Sequence, residues 1–522
     1  IGDTRWEADE DYFVKIGNAT LANVQPAETR IVIENDDPVI QGNGGDDTLK
    51  FVVNTVGGTT SYEITLNGVV STVDAATALG GLIFDGMGGN DTVEFYGDAG
   101  PMTVRLWAVP GAYVTGLTDV TGLYQGTNFS FTTRNVESQL AVSNGTADTV
   151  YLNDSPGRDV LTASPTKAVL VPDASNPTKY REEARGFRTV IANGTLPGSG
   201  SGTPASRGDI ALLTDSAAGE DVLTALPRNV TLRDLGGANY SIQALNFLTV
   251  QANATATPGV TDHAEFSDTA VGANDTFAAR PGFAELTNSS VDFDNRAYGF
   301  ADVKATLSSP GTQSVARLYD DTTAGRLYQL TATPTSATFS DSSTNAYRAQ
   351  ANNFRNVYAY GSQGNETATM SDAGASGVST FISTANYGML SGGSYTVRAN
   401  AFKTVTAQSQ SSTSVAKFYD SIGNDQFAAS PTESVMTYGS GGLTAANTAR
   451  NFGRVESWSI VADTAGVDDN DTATLTGSSG NDNFWAYPDY SFLSGSTSGQ
   501  SYFYRANGFE KVIGLAAGGN DT

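Results

Sequence analysis

Over most of this chain, apolar and polar residues alternate in short runs that glycine, asparagine or serine soon interrupts. Ala316-Arg317-Leu318-Tyr319-Asp320 and Ala416-Lys417-Phe418-Tyr419-Asp420 are examples, and each ends on an acid. Period-2 alternation predicts strands with one buried face, and no stretch keeps a 3.6-residue apolar period for long. The 57 glycines, with abundant Ser, Thr, Asn and Asp, predict many tight turns between these strands. The chain therefore reads as all-β.

Self-comparison organises the strands. Phe-x-x-Val occurs at Phe187, Phe247, Phe300, Phe354, Phe402, Phe452 and Phe509, with successive spacings of 60, 53, 54, 48, 50 and 57 residues. A small or amide residue usually precedes the Phe, as in Asn246, Asn353 and Asn451. Between these sites a second landmark recurs: Gly-x-Asp-x-(Phe/Leu), often with a Pro four residues later. Gly157 to Leu161 with Pro165, Gly219 to Leu223 with Pro227, Gly423 to Phe427 with Pro431 and Gly480 to Phe484 with Pro488 carry it. Copies around Gly325 and Gly377 lack the Asp and read as structural turns.

A unit of this length is too small for a sandwich domain but suits a parallel β-solenoid, whose strands stack about 4.8 Å apart along one axis. Coils of about 25 residues would give two per repeat and a rod on the order of 70 Å from residue 146 onward. Inward Val, Phe, Leu and Ala would fill the core, and each recurring Phe would be a stacked core aromatic. Three regions follow: 1–38, a β-rich 39–145, and 146–522 with about seven repeats of 46–62 residues.

Charge and composition narrow the partners. Basic residues number 29 and acidic ones 55, a net charge of −26, which disfavours nucleic acid and anionic membrane surfaces. The balance favours divalent cations or cationic glycans, or simply solubility. The chain has no cysteine, which excludes disulfides, thiol catalysis and Cys-type zinc sites. No run of about 20 apolar residues predicts membrane insertion. The one histidine, His263, lies beside Asp262 with no nucleophile elbow nearby, and acid pairs such as Asp320/Asp321 and Asp468/Asp469 sit in turns. The expectation is a protein that is not an enzyme.

Three stretches carry resemblances. Trp6 to Ile16, followed by Thr29 to Asp37, resembles the C-terminal half of a Calx-beta domain. That likeness implies a partial β-sandwich over 1–38 and cation ligands at Glu7, Asp9, Glu10, Asp36 and Asp37. Gly42 to Leu49 and Gly86 to Val93 look like isolated RTX-type nonapeptides, which implies Ca²⁺ at Asp46, Asp47 and Asp91; a third begins at Gly518. The long repeat is similar to repeats of very large secreted proteins of planctomycete-type bacteria. This implies an extracellular or cell-surface place.

The expectation is a secreted structural rod that builds or decorates a surface fibre, with Ca²⁺ as its cofactor. Half a sandwich at one end and a repeat broken off at the other suggest head-to-tail self-association, and a polypeptide that continues further fits the same ends. The alternative is a calcium-stabilised adhesin that binds glycans or other surface components. Trp458, Trp485 and Tyr487 are candidates to stack on sugar rings.

Overall fold

The computed structural model describes residues 10–15, 28–33 and most of 39–522. Left out of the last span are 57–58, 74–81, 109–116, 125–126, 177–178, 196–207, 237–238, 257–258, 269, 271, 273, 289–292, 310, 322–324, 363–364, 440–444, 460–469 and 498. All 47 elements among the described residues are strands, so the all-β expectation holds. Two compact units divide the chain: Ile1–Leu223 with Arg228–Thr257, and Thr224–Pro227 with Pro258–Thr522.

Each unit is built from two sheets that share one core. In the first, Thr149–Asn153 pairs in parallel with Met102–Trp107 on one side and Thr189–Asn193 on the other. In the facing sheet, Ser138–Val142 pairs in parallel with Thr92–Tyr96 and with Arg181–Arg185. Parallel stacking with residue-for-residue register is solenoid geometry. Near the start, Glu10–Lys15 and Glu28–Ile33 form a separate antiparallel pair.

The path between layers differs from the simple two-coil repeat expected. After Thr149–Asn153 the chain enters the facing sheet at Asp159–Ser164, two strand positions beyond the next vacancy. It then turns back through the antiparallel Lys167–Pro172 to Arg181–Arg185, which docks beside Ser138–Val142. Ile210–Thr214 later continues from the overshot strand. The second unit repeats the device on alternate sheets: Tyr328–Ala332, Ser336–Asp341 and Arg348–Asn352 form a three-stranded meander in one sheet. Thr380–Ser383, Tyr387–Ser391 and Thr396–Asn400 form one in the other.

Local sequence enforces both turns of a meander. Pro165 and Pro281 open two-residue connections, and Gly282 follows at φ +78°. At Pro281–Gly282, proline followed by a residue with positive φ is type II turn chemistry, which reverses the strand tightly. The exit turn needs a left-handed residue just before each Phe. Gly186, Asn246, Gly299, Asn353, Ala401, Asn451 and Gly508 all have φ between +58° and +82°. Glycine and asparagine tolerate this region best, which explains the small or amide residue in the sequence pattern.

The landmarks meet in the core. Phe187, Phe247, Phe300, Phe354, Phe402 and Phe452 are buried, and Phe509 is half-buried. Phe354 packs on Phe277 at 6.0 Å between ring centroids, Phe402 on Phe339 at 5.9 Å, and Phe452 on Phe381 at 6.3 Å. Each buried ring contributes about 1.5–3 kcal/mol through apolar surface removed from water. In the first unit, Phe51 stacks on Phe131 of the opposite sheet at 4.7 Å.

Candidate functional site

Where the chain passes from one sheet to the other, a buried acid often stands at the start of the new strand or just before it. Its backbone N–H points along the stack, and the acid of the next layer accepts it. Asp47 N–H donates to Asp91 Oδ1 at 2.8 Å, and Asp91 N–H to Glu137 Oε2 at 2.7 Å. In the second unit, Asp425 N–H donates to Asp471 Oδ1 at 2.7 Å, and Asp471 N–H to Glu510 Oε2 at 2.7 Å. A hydrogen bond to a charged acceptor is about twice as strong as a neutral one. Glycine makes room for it, because a Cβ on Gly42 or Gly86 would run into the Oδ2 of Asp47 or Asp91.

The expected cation ligands fall into two groups. Glu7, Asp9, Asp36 and Asp37 lie outside the described residues, as does the side chain of Glu10, whose backbone pairs with Ile33. Asp46, Asp47 and Asp91 come together at one corner. Asp46 is exposed and accepts the Asn90 N–H at 2.8 Å. Asp47 is buried and accepts the Asn43 N–H at 2.6 Å and the Asn67 amide at 2.5 Å. Asp91 is buried, and burial raises its pKa; its Oδ2 has no partner.

A denser corner lies further on in the same unit. Asp154, Asp159 and Asp209 each offer a carboxylate oxygen, and these atoms lie within 4.8 Å of one another. Asp159 N–H donates to Asp209 Oδ1 at 2.8 Å, and the Thr195 hydroxyl donates to Asp154 Oδ1 at 2.6 Å. Ser155 at 3.2 Å and the Asn176 amide at 3.1 Å orient Asp159. Burial pushes Asp159 up to about 6. Burial and the hydrogen bond and negative charge of Asp154 hold Asp209 well above the usual carboxylate range.

A buried glutamate, Glu182, borders this corner at Asn153, the residue before Asp154. It shares the inward face of Arg181–Arg185 with Ala184 and is fully buried. Its Oε2 accepts the Asn153 N–H at 3.1 Å, its Oε1 has no partner, and burial raises its pKa strongly. The next residue has the opposite environment. Lys167, Arg181 and Arg185 surround Glu183, the first at 3.0 Å and the last at 2.6 Å, and hold it down at about 2. Sequence reading passed over Glu182 because it lies in a charged run. Its phase with Ala184 was the available signal.

The second unit holds further carboxyl pairs. Asp275 is pushed up to about 6 by burial, with Asp268 adding to it; Asp320 reaches about 6 by burial and its hydrogen bond with Glu366. His263 Nδ1 lies 3.1 Å from Asp302 Oδ2, and Arg348 approaches the same oxygen at 3.7 Å. On the outer sheet face Trp458 stacks on Tyr419 at 5.0 Å. Trp485 and Tyr487, exposed, stack on Phe492 at 6.4 and 6.5 Å. Arg505 lies 4.2 Å over the Tyr490 ring.

No helix of the described residues is long and apolar enough to cross a membrane. In comparisons with known proteins, no protein family and no curated protein matches this chain.

Proposed function

We propose that this is a non-enzymatic, extracellular structural protein: a repeat rod that forms or decorates a cell-surface fibre, with copies joining head to tail. The observation that carries this reading is the recurrent use of corner acids as ties between layers. Asp47 to Asp91, Asp159 to Asp209 and Asp425 to Asp471 repeat one bond in both units. Asparagines at strand ends add a second tie: Asn153 donates to Leu106 O at 2.7 Å, and Asn400 to Ala359 O at 3.0 Å. Chemistry placed between layers serves length and stiffness. A stack with constant register is also extended by adding strands from another copy, and such contacts need not close. Gold-labelled antibody on intact native cells tests the proposal. Label along surface filaments is expected; label confined to the cell interior contradicts it.

The aromatic face of the second unit favours a second reading, a glycan-binding adhesin. The exposed Trp485 and Tyr487 stack on the half-buried Phe492 in a near-parallel array of the kind that stacks on sugar rings. A glycan array with wild type and Trp485→Ala separates the two. Binding lost in the variant supports the adhesin, and no binding by either protein removes it.

A further inference from the structure

We propose that Asp154, Asp159, Asp209 and Glu182 hold a Ca²⁺ ion in the first unit, at a place separate from Asp46, Asp47 and Asp91. The donors are all carboxylate oxygens, which suits a hard cation. Ligand atoms of the three aspartates lie within 4.8 Å of one another. Oxygens bound to one Ca²⁺ at about 2.3–2.6 Å stand no more than about 5.2 Å apart, a limit that these atoms satisfy.

Glu182 is the independent observation. It is fully buried on a face that otherwise carries Ala184, and its Oε1 has no partner. Apart from burial and the Asn153 N–H, the charges that act on it most are Asp154 and Asp159. A buried acceptor without a partner is costly, and a carboxylate among carboxylates more so. The nearby basic side chains are turned elsewhere. Lys167, Arg181 and Arg185 gather on Glu183, and Arg158 faces Asp173 at 4.0 Å.

Neutral donors fix the remaining oxygens in place. Thr195 holds Asp154, Ser155 and Asn176 hold Asp159, and the Asn153 N–H holds Glu182 Oε2. One cation then satisfies the free Oε1 and the crowded aspartates together. It ties Arg181–Arg185 to the corners that lead into Asp159–Ser164 and Ile210–Thr214.

Titration calorimetry of the chelator-treated full chain with Ca²⁺ tests this, because it counts equivalents whatever other sites exist. The Asp154→Asn/Asp209→Asn variant should bind one equivalent fewer than wild type. Glu182→Gln, which preserves shape, should weaken one equivalent at least tenfold. Tb³⁺ emission sensitised by the neighbouring Tyr180 should fall in both variants and in Tyr180→Phe, and excess Ca²⁺ should displace it. A wild type that binds no Ca²⁺, or variants with the wild-type isotherm, overturns the proposal. Should the double variant fail to fold, an unchanged Glu182→Gln isotherm overturns it alone.

Discussion

Ala401 holds φ at +60° immediately before the buried Phe402, a position where the other repeats place Gly or Asn. An L-residue with a Cβ is strained in this region by about 1–2 kcal/mol, and glycine is not. Ala401→Gly should therefore stabilise the fold, by up to about 1 kcal/mol after the added freedom of the unfolded chain. Denaturant unfolding would show it, and a net loss would contradict the turn assignment. The carboxyls make a prediction of their own. Asp275 sits at about 6 in the fold against an ordinary value of about 4. The folded state then binds the extra proton, so this group's contribution is complete below about pH 4 and lost as pH rises through about 6. Asp275→Asn should raise the melting temperature at pH 7.5 and leave it nearly unchanged at pH 4. Glu183 has the opposite sign: its contribution is present above about pH 4.5 and lost as pH falls toward 2. At this scale the sequence was half legible. The small residue before each Phe was visible, but its positive φ and the inward Glu182 needed the register.

Among the elements, the three-stranded meander is what sequence reading did not resolve. The landmarks Gly-x-Asp, Pro and Phe-x-x-Val were read in the right order along the chain. Pro165 and Pro431 mark turns in the sequence but not the reversal they impose, because a Pro turn between alternating strands looks alike in a coil corner and a hairpin. Which strand docks beside which also depends on pairings some 40 residues apart, such as Ser138 with Arg181, that no local pattern states. The meander has an energetic consequence. Phe402, after the exit turn, packs on Phe339 from the middle strand of the preceding meander. Phe402→Ala should cost about 3–5 kcal/mol, since the ring is fully enclosed and leaves a cavity. A shift in denaturant midpoint worth less than about 1 kcal/mol, with unchanged slope, would contradict this packing.

For the molecule as a whole, the charge of −26 opposes compaction. Sodium chloride at 0.15 M screens charges beyond about 8 Å, against about 30 Å at 0.01 M. The melting temperature should therefore rise by several degrees between those concentrations, with divalent cations excluded by chelator; a fall would mean that surface ion pairs outweigh repulsion. The all-β stack was legible from alternation and turn residues. The corner that gathers three aspartates was not, because Asp154 and Asp159 meet Asp209, which lies some 50 residues away along the chain. The central claim is that the layers serve a fibre, and diffraction from aligned native surface material tests it most directly. The account predicts a meridional reflection near 4.8 Å along the fibre axis, since within each unit parallel and returning strands stack side by side at that spacing. Native material with no filaments and no axial reflection at that spacing would contradict it.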